Sequence, residues 1–184
     1  MSNSFTIEEN KSLYSAKIKV VGVGGGGGNM INHIIRENPN LDIDLMIANT
    51  DAKALDNSPA HTKIQLGEKK TKGLGAGMRP EVGKEAAQES YEEIKSALET
   101  SDVVFIASGL GGGTGTGAAP VVAQAAKEIG ALTVAVVTMP FSFEGKKRSK
   151  LADIGLSELR KESDSIVIIP NDRLLTLIDK KSGI

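Results

Sequence analysis

The sequence predicts an α/β protein built on a mainly parallel sheet with helices on both faces. Two observations carry that class. Short apolar runs rich in β-branched residues alternate along the chain with segments of helical periodicity, the signature of βαβ units. The glycines, 21 in 184 residues, are concentrated where a run of the first kind gives way to one of the second. Six fall within Gly22–Gly28 and six within Gly109–Gly117.

The elements follow in order. Residues 1–16 are polar, carry Glu8, Glu9 and Lys11, and read as a flexible or loosely docked tail ahead of one subdomain over 17–184. Ile18–Val23 is bounded by glycine and predicts a buried strand. Met30, Ile31, Ile34 and Ile35 recur at helical spacing, and Pro39 lies beyond the stop. Ile43–Ala48 and Lys63–Leu66 predict the second and third strands, and Gly67–Arg79 a loop. Pro80 suits a first helical turn, and Glu81–Glu99 predicts one helix with Val82, Ala86, Ile94 and Leu98 inward. Val103–Ala107 predicts a strand, Ala118–Ile129 a helix and Leu132–Val137 a strand. Leu151, Ile154 and Leu159 mark a further helix, and Ile166–Ile169 a last strand. Asn171 is placed to cap a final short helix containing Leu174, Leu175 and Ile178.

Composition removes several classes of function. Lys+Arg 22 against Asp+Glu 23 gives a net charge of −1, so no global field draws nucleic acid. Aromatic residues make up 3% with no Trp, too few for base-stacking platforms. The absence of Cys removes disulfides, thiolate metal sites and cysteine nucleophiles, and fits a cytoplasmic setting. No run approaches the ~20 apolar residues of a membrane span, so direct membrane insertion is not expected. His33 and His61 lack partners at metal-ligand spacing and read as surface or boundary residues. Glu92 and Glu93 read as a solvated helix face, and Thr71-Lys72 as loop chemistry.

The glycine segments carry the chemistry. A strand-to-helix junction points free N–H groups outward, where the helix dipole adds about half a positive charge. Glycine lets the backbone approach a ligand closely, so such junctions cradle phosphates. The first segment reads Gly24-Gly25-Gly26-Gly27-Gly28-Asn29, and the second Gly111-Gly112-Gly113-Thr114-Gly115-Thr116-Gly117. A tight turn would account for one glycine pair but not for twelve glycines, each costing backbone entropy. Gly22-Val23-Gly24-Gly25-Gly26-Gly27 matches the dinucleotide pattern G-x-G-x-x-G. The acidic residue expected at the end of the second strand is absent, however, since Asn49 stands there. The P-loop pattern fails too, because Gly83-Lys84 precedes Glu85 and Gly145-Lys146 precedes Lys147. Two segments converging on one polyphosphate is the better description.

The run Gly109–Gly117 followed by Ala118-Ala119-Pro120 resembles the signature of the tubulin/FtsZ superfamily of GTPases. Val21–Asn29, Asn49-Thr50-Asp51-Ala52, Thr71–Gly77, Phe143–Arg148 and Ile169-Pro170-Asn171-Asp172 agree with it, so the resemblance spans Lys17 to Leu177. It implies a Rossmann-like GTPase fold and GTP or GDP as ligand, with Mg²⁺ held through the phosphates. Gly25, Gly26, Gly27, Gly28 and Asn29 would lie against the diphosphate, and Gly113, Thr114 and Gly115 would hold the terminal phosphates. Asn49–Ala52 and Gly75–Gly77 would close around the γ-phosphate, with Asp51 near the Mg²⁺ end. Glu144 and Arg148 would contact the ribose side, with Asn171 nearby.

In this superfamily a central helix grips guanine, and an acidic loop from the next subunit completes hydrolysis. Both would follow Ile184, so the chain is expected to be truncated before the central helix and nearly inactive alone. No catalytic acid or base and no protein metal ligand is assigned. Self-association into head-to-tail filaments at the cell-division ring is implied for the parent protein, with other division proteins bound through C-terminal regions. The alternative is an NAD-dependent oxidoreductase domain using the G-x-G-x-x-G run, which leaves the second glycine segment unexplained.

Overall fold

The computed structural model describes residues 15–173. Six strands form one sheet: β1 (Ile18–Val23), β2 (Asp44–Asn49), β3 (Thr62–Gln65), β4 (Val103–Gly109), β5 (Leu132–Met139) and β6 (Ser165–Pro170). Their order is β3-β2-β1-β4-β5-β6, and every neighbouring pair is parallel. The helices are α1 (Gly24–Glu37), α2 (Ala52–Asp56), α3 (Glu68–Thr71), α4 (Pro80–Glu89), α5 (Tyr91–Leu98), α6 (Thr114–Glu128) and α7 (Lys146–Glu162), with a 3₁₀ turn at Ser142–Glu144. Because the strand order reverses between β1 and β4, a crevice opens there at the carboxyl edge of the sheet, the place where doubly wound sheets bind ligands.

Alternation along the strands builds two cores. On β2, Met46 and Ala48 enter the larger core, which also holds Val104, Ile106 and Val137 of the sheet, Ile94 and Leu98 of α5, Val122 of α6 and Leu159 of α7. Ile47, one residue along, faces the opposite side and packs with Ile31 of α1 and Leu55 of α2. That alternation is the period-2 geometry of a strand buried on both faces.

The predicted strands are found within about two residues at each end, the usual scatter of element boundaries. Three expectations about helices need correction. The segment Gly24–Gly28, expected as a loop, forms the opening turns of α1, and Thr114–Gly117 opens α6. The single helix over Glu81–Glu99 is two, broken at Ser90. There the Ser90 hydroxyl donates to the Gln65 carbonyl (3.2 Å) and accepts from the Gly67 N–H (3.0 Å), tying the chain to the end of β3. The loop Gly67–Arg79 contains the short α3. Of the four positions expected inward, Ala86, Ile94 and Leu98 are buried and Val82 is only half-buried; of the residues that mark α7, Leu159 is buried and Ile154 is half exposed. Residues 171–173 are helical, while Leu174, Leu175, Ile178 and the tail over 1–14 lie outside the described residues.

One polar contact pins α5 to α6. The Tyr91 hydroxyl donates to Glu128 Oε2, and Lys95 Nζ donates to Oε1 at 2.9 Å. Burial, then the bond to Glu128 and its charge, pushes the Tyr91 pKa from 10.0 up to about 12. The folded value lies above the unfolded one, so this contribution is complete below the unfolded value and is lost as pH rises through the folded one. In urea denaturation, the stability advantage of the wild type over Tyr91→Phe should hold steady up to about pH 10 and shrink from there towards pH 12.

Candidate functional site

The glycine-rich helix starts meet at the switch point. A Cβ on Gly24, whose φ is +72°, would stand 2.7 Å from the Gly115 nitrogen, and one on Gly26 would stand 3.0 Å from the Gly109 Cα. A Cβ on Gly115 would lie 2.4 Å from the Gly109 carbonyl oxygen. Only backbone without side chains allows α1, α6 and the end of β4 to approach this closely. Both helices therefore open beside each other, each with free N–H groups in its first turn. Neither has a side-chain N-cap or an acidic residue in that turn, whereas α4 has Glu81 and α5 has Glu92 and Glu93. Two positive helix ends converge without local compensation.

In front of them lies a cleft of about 360 Å³. Of the residues singled out by sequence, Gly25, Gly26, Gly113, Thr114, Gly115, Glu144, Arg148 and Asn171 line it. Gly28 and Asn29 line an adjoining cleft of about 250 Å³ that shares Gly25 with the first. Gly27 lines neither: it is buried, and a Cβ there would meet the Ala107 carbonyl oxygen at 2.2 Å. Its place is the seam between α1 and β4.

Three glycines behave differently. Apart from its chain neighbours and its own helix, a Cβ on Gly25, Gly28 or Gly112 would meet no protein atom within 4 Å, and none of the three has a positive φ. Neither packing nor backbone conformation requires glycine at these positions. Gly112 opens onto the first cleft, Gly28 onto the second and Gly25 onto both.

The walls are set by neighbouring elements. Thr116 Oγ1 accepts from the Gly111 N–H at 2.8 Å and holds the turn ahead of α6. Glu144 Oε2 accepts from the Phe141 N–H and Oε1 from Arg148 Nη1, both at 2.7 Å, so the carboxylate orients the guanidinium of a side chain that is 44% exposed. The cationic start of α7, Lys146-Lys147-Arg148, is thereby partly neutralised at Arg148. Asp51 Oδ1 accepts from the Ala54 N–H at 3.2 Å and caps α2, and its carboxylate lines neither cleft. Gly77, from the predicted γ-phosphate loop, does reach the first cleft. Among the described residues, no group of three or more His, Asp or Glu side chains is arranged to hold a metal ion.

Sequence reasoning missed Thr138 and Pro140, which line the first cleft, and Asn32, Arg36 and Asn57, which line the second. The former follow from register, since Thr138 pairs with Gly109 across β4 and β5 and its carbonyl accepts from the Leu110 N–H. Asn32 and Arg36 follow Asn29 at helical spacing on one face of α1, a signal the sequence does contain.

Fold and cleft together define a doubly wound α/β domain in which two uncapped helix starts face a cleft at the switch point. Residues 17–179 match the Tubulin/FtsZ family, GTPase domain, and the chain belongs to that family. It is 55% identical over 170 residues to the cell division protein FtsZ of Pseudomonas aeruginosa, covering 92% of this chain and 43% of that protein. Among solved structures, an FtsZ dimer from M. jannaschii superposes with a TM-score of 0.86 at 52% identity, covering 89% of this chain and 48% of that one. A GTPγS-bound protofilament of CetZ2 from Haloferax volcanii gives 0.76 at 26% identity, covering 85% and 49%. The chain thus spans about half the length of the relatives it matches.

Proposed function

We propose that the two adjoining clefts together bind GTP and GDP, with Gly25, Gly26, Gly28 and Asn29 against the diphosphate and Gly113, Thr114 and Gly115 on the terminal phosphates. The observation that supports this reading is the set Gly25, Gly28 and Gly112, positions where neither packing nor backbone conformation calls for glycine and where an occupant of the clefts would. N–H groups aimed at a charged phosphate supply about 1.5–3 kcal/mol each, enough for a backbone cradle to bind without a lysine. Glu144 and Arg148, with Asn171, would face the ribose side. Mg²⁺, when bound, would supply charge neutralisation through the phosphates rather than through protein ligands.

The chain's own residues bind and orient; none is placed as a general acid or base, and Thr114 is a phosphate contact rather than a nucleophile. Phosphoryl transfer depends mainly on positioning and charge stabilisation. Hydrolysis completed by the next subunit of a head-to-tail filament fits a site made of phosphate contacts alone. The dimer and protofilament recorded for the relatives support such self-association, at a division ring in the cytoplasm. Among the described residues no helix is long and apolar enough to cross a membrane. The NAD-dependent oxidoreductase alternative is disfavoured by the family match. Gly22, Gly24 and Gly27, its fingerprint glycines, are all accounted for by close packing.

Titration with a fluorescent GTP analogue, competed with GTP, GDP, ATP and NADH, tests the proposal. GTP and GDP should displace the probe and NADH should not. Binding of NADH without GTP would return the site to the oxidoreductase class.

A further inference from the structure

Thr50 is fully buried just beyond the end of β2, and its Oγ1 lies 2.6 Å from Oγ1 of Thr114, the first residue of α6. Its carbonyl accepts from the Gly75 N–H at 3.2 Å and from Thr71 Oγ1 at 3.3 Å. One residue therefore ties the cleft-lining threonine to the loop that brings Gly77 into the same cleft. That loop has little slack. A Cβ on Gly113 would stand 2.4 Å from the Gly77 carbonyl oxygen, and one on Gly83 would stand 2.4 Å from the Gly113 carbonyl oxygen.

From this geometry we infer that Thr50 is a positioning residue for phosphate binding, acting through Thr114; the inference rests on the nucleotide reading above. A hydroxyl carries one proton and two acceptor lone pairs. When Thr114 donates its proton to a phosphate oxygen, its own oxygen must accept from Thr50. The two hydroxyls then run in series, Thr50 O–H to Thr114 O–H to phosphate, each bond polarising the next. With no anion in the cleft, the pair can run in either direction. Anion binding fixes the direction and orders Thr50. The Thr50 carbonyl passes that order to Thr71 and Gly75.

The test is a double-mutant cycle read by the affinity of the fluorescent GTP analogue. Thr50→Val keeps the shape and removes the proton, and should weaken binding about fivefold. Thr50→Ser keeps the proton and should bind within about twofold of the wild type. In a Thr114→Val background, Thr50→Val should change affinity no further, because its effect passes through Thr114. Equal losses in both backgrounds would show a merely structural role and overturn the inference, as would unaltered binding by Thr50→Val. Urea denaturation checks that the variants fold, and Thr50→Ala replaces the valine variant if it does not. If the wild type itself fails to bind GTP, the nucleotide reading falls and the relay with it. Wild-type binding matched by Thr50→Val defeats the relay alone.

Discussion

Gly117→Ala should lose about 3 kcal/mol or more of stability, although a helix-propensity scale predicts a gain of about 1 kcal/mol. Gly117 is in the first turns of α6, where alanine is the better helix former. The added Cβ would stand 1.9 Å from the Pro80 carbonyl oxygen, 2.7 Å from the Lys84 nitrogen and 2.8 Å from the Pro80 carbonyl carbon. All three are backbone atoms, which cannot rotate away, and ordinary contact begins at 3.4 Å. Relief requires α4 to lift off α6, opening the core that Ala86 and Val122 share. Gly27→Ala should behave the same way at the seam between α1 and β4, where its Cβ would stand 2.2 Å from the Ala107 carbonyl oxygen. Set against a typical total of about 5–15 kcal/mol, either loss is a large fraction. Urea denaturation should show a much lower midpoint at an unchanged slope. A midpoint at or above the wild type would mean that the helices are not packed as described.

The contrast between these glycines and the cleft glycines marks where sequence reasoning stopped. Strands were legible because burial on both faces leaves short β-branched runs between breakers; Ile18–Val23 was placed to the residue. The start of α4 at Pro80 was legible too, but the glycine-rich starts of α1 and α6 were not, because propensity opposes a helix through Gly24–Gly28. Tertiary contact wins there, since only glycine lets α1 lie against β4. Nothing near Ser90 announces a break; its cause is a hydroxyl reaching the Gln65 carbonyl, 25 residues away in sequence. The candidate site was legible where motif and junction coincide, at Gly25, Gly26 and Gly113–Gly115. Thr138 lay outside that signal, since its place depends on the pairing of β5 with β4. The glycine excess also hid a division of labour: Gly22, Gly27 and Gly117 serve packing, and Gly25, Gly28 and Gly112 keep space open.

That division yields the second large effect, with the opposite pattern. Gly25→Ala should fold as stably as the wild type or more so, and should bind the GTP analogue about ten- to a hundredfold more weakly. Apart from its chain neighbours and its own helix, its Cβ would touch no protein atom within 4 Å, and its φ is not positive, so nothing in the fold resists alanine. The methyl group would instead project into the space shared by the two clefts, where the phosphates are proposed to lie. It would hold them away from the first-turn N–H groups of α1, at a cost of one or two charge-assisted hydrogen bonds. Gly112→Ala, at the other wall of the first cleft, should lose affinity in the same sense without losing stability. Paired urea denaturation and GTP titration of the two variants separate the roles. Intact stability with lost binding places a ligand against Gly25 and Gly112. Intact stability with intact binding would remove the observation on which the nucleotide reading stands, and the open glycines would need another occupant.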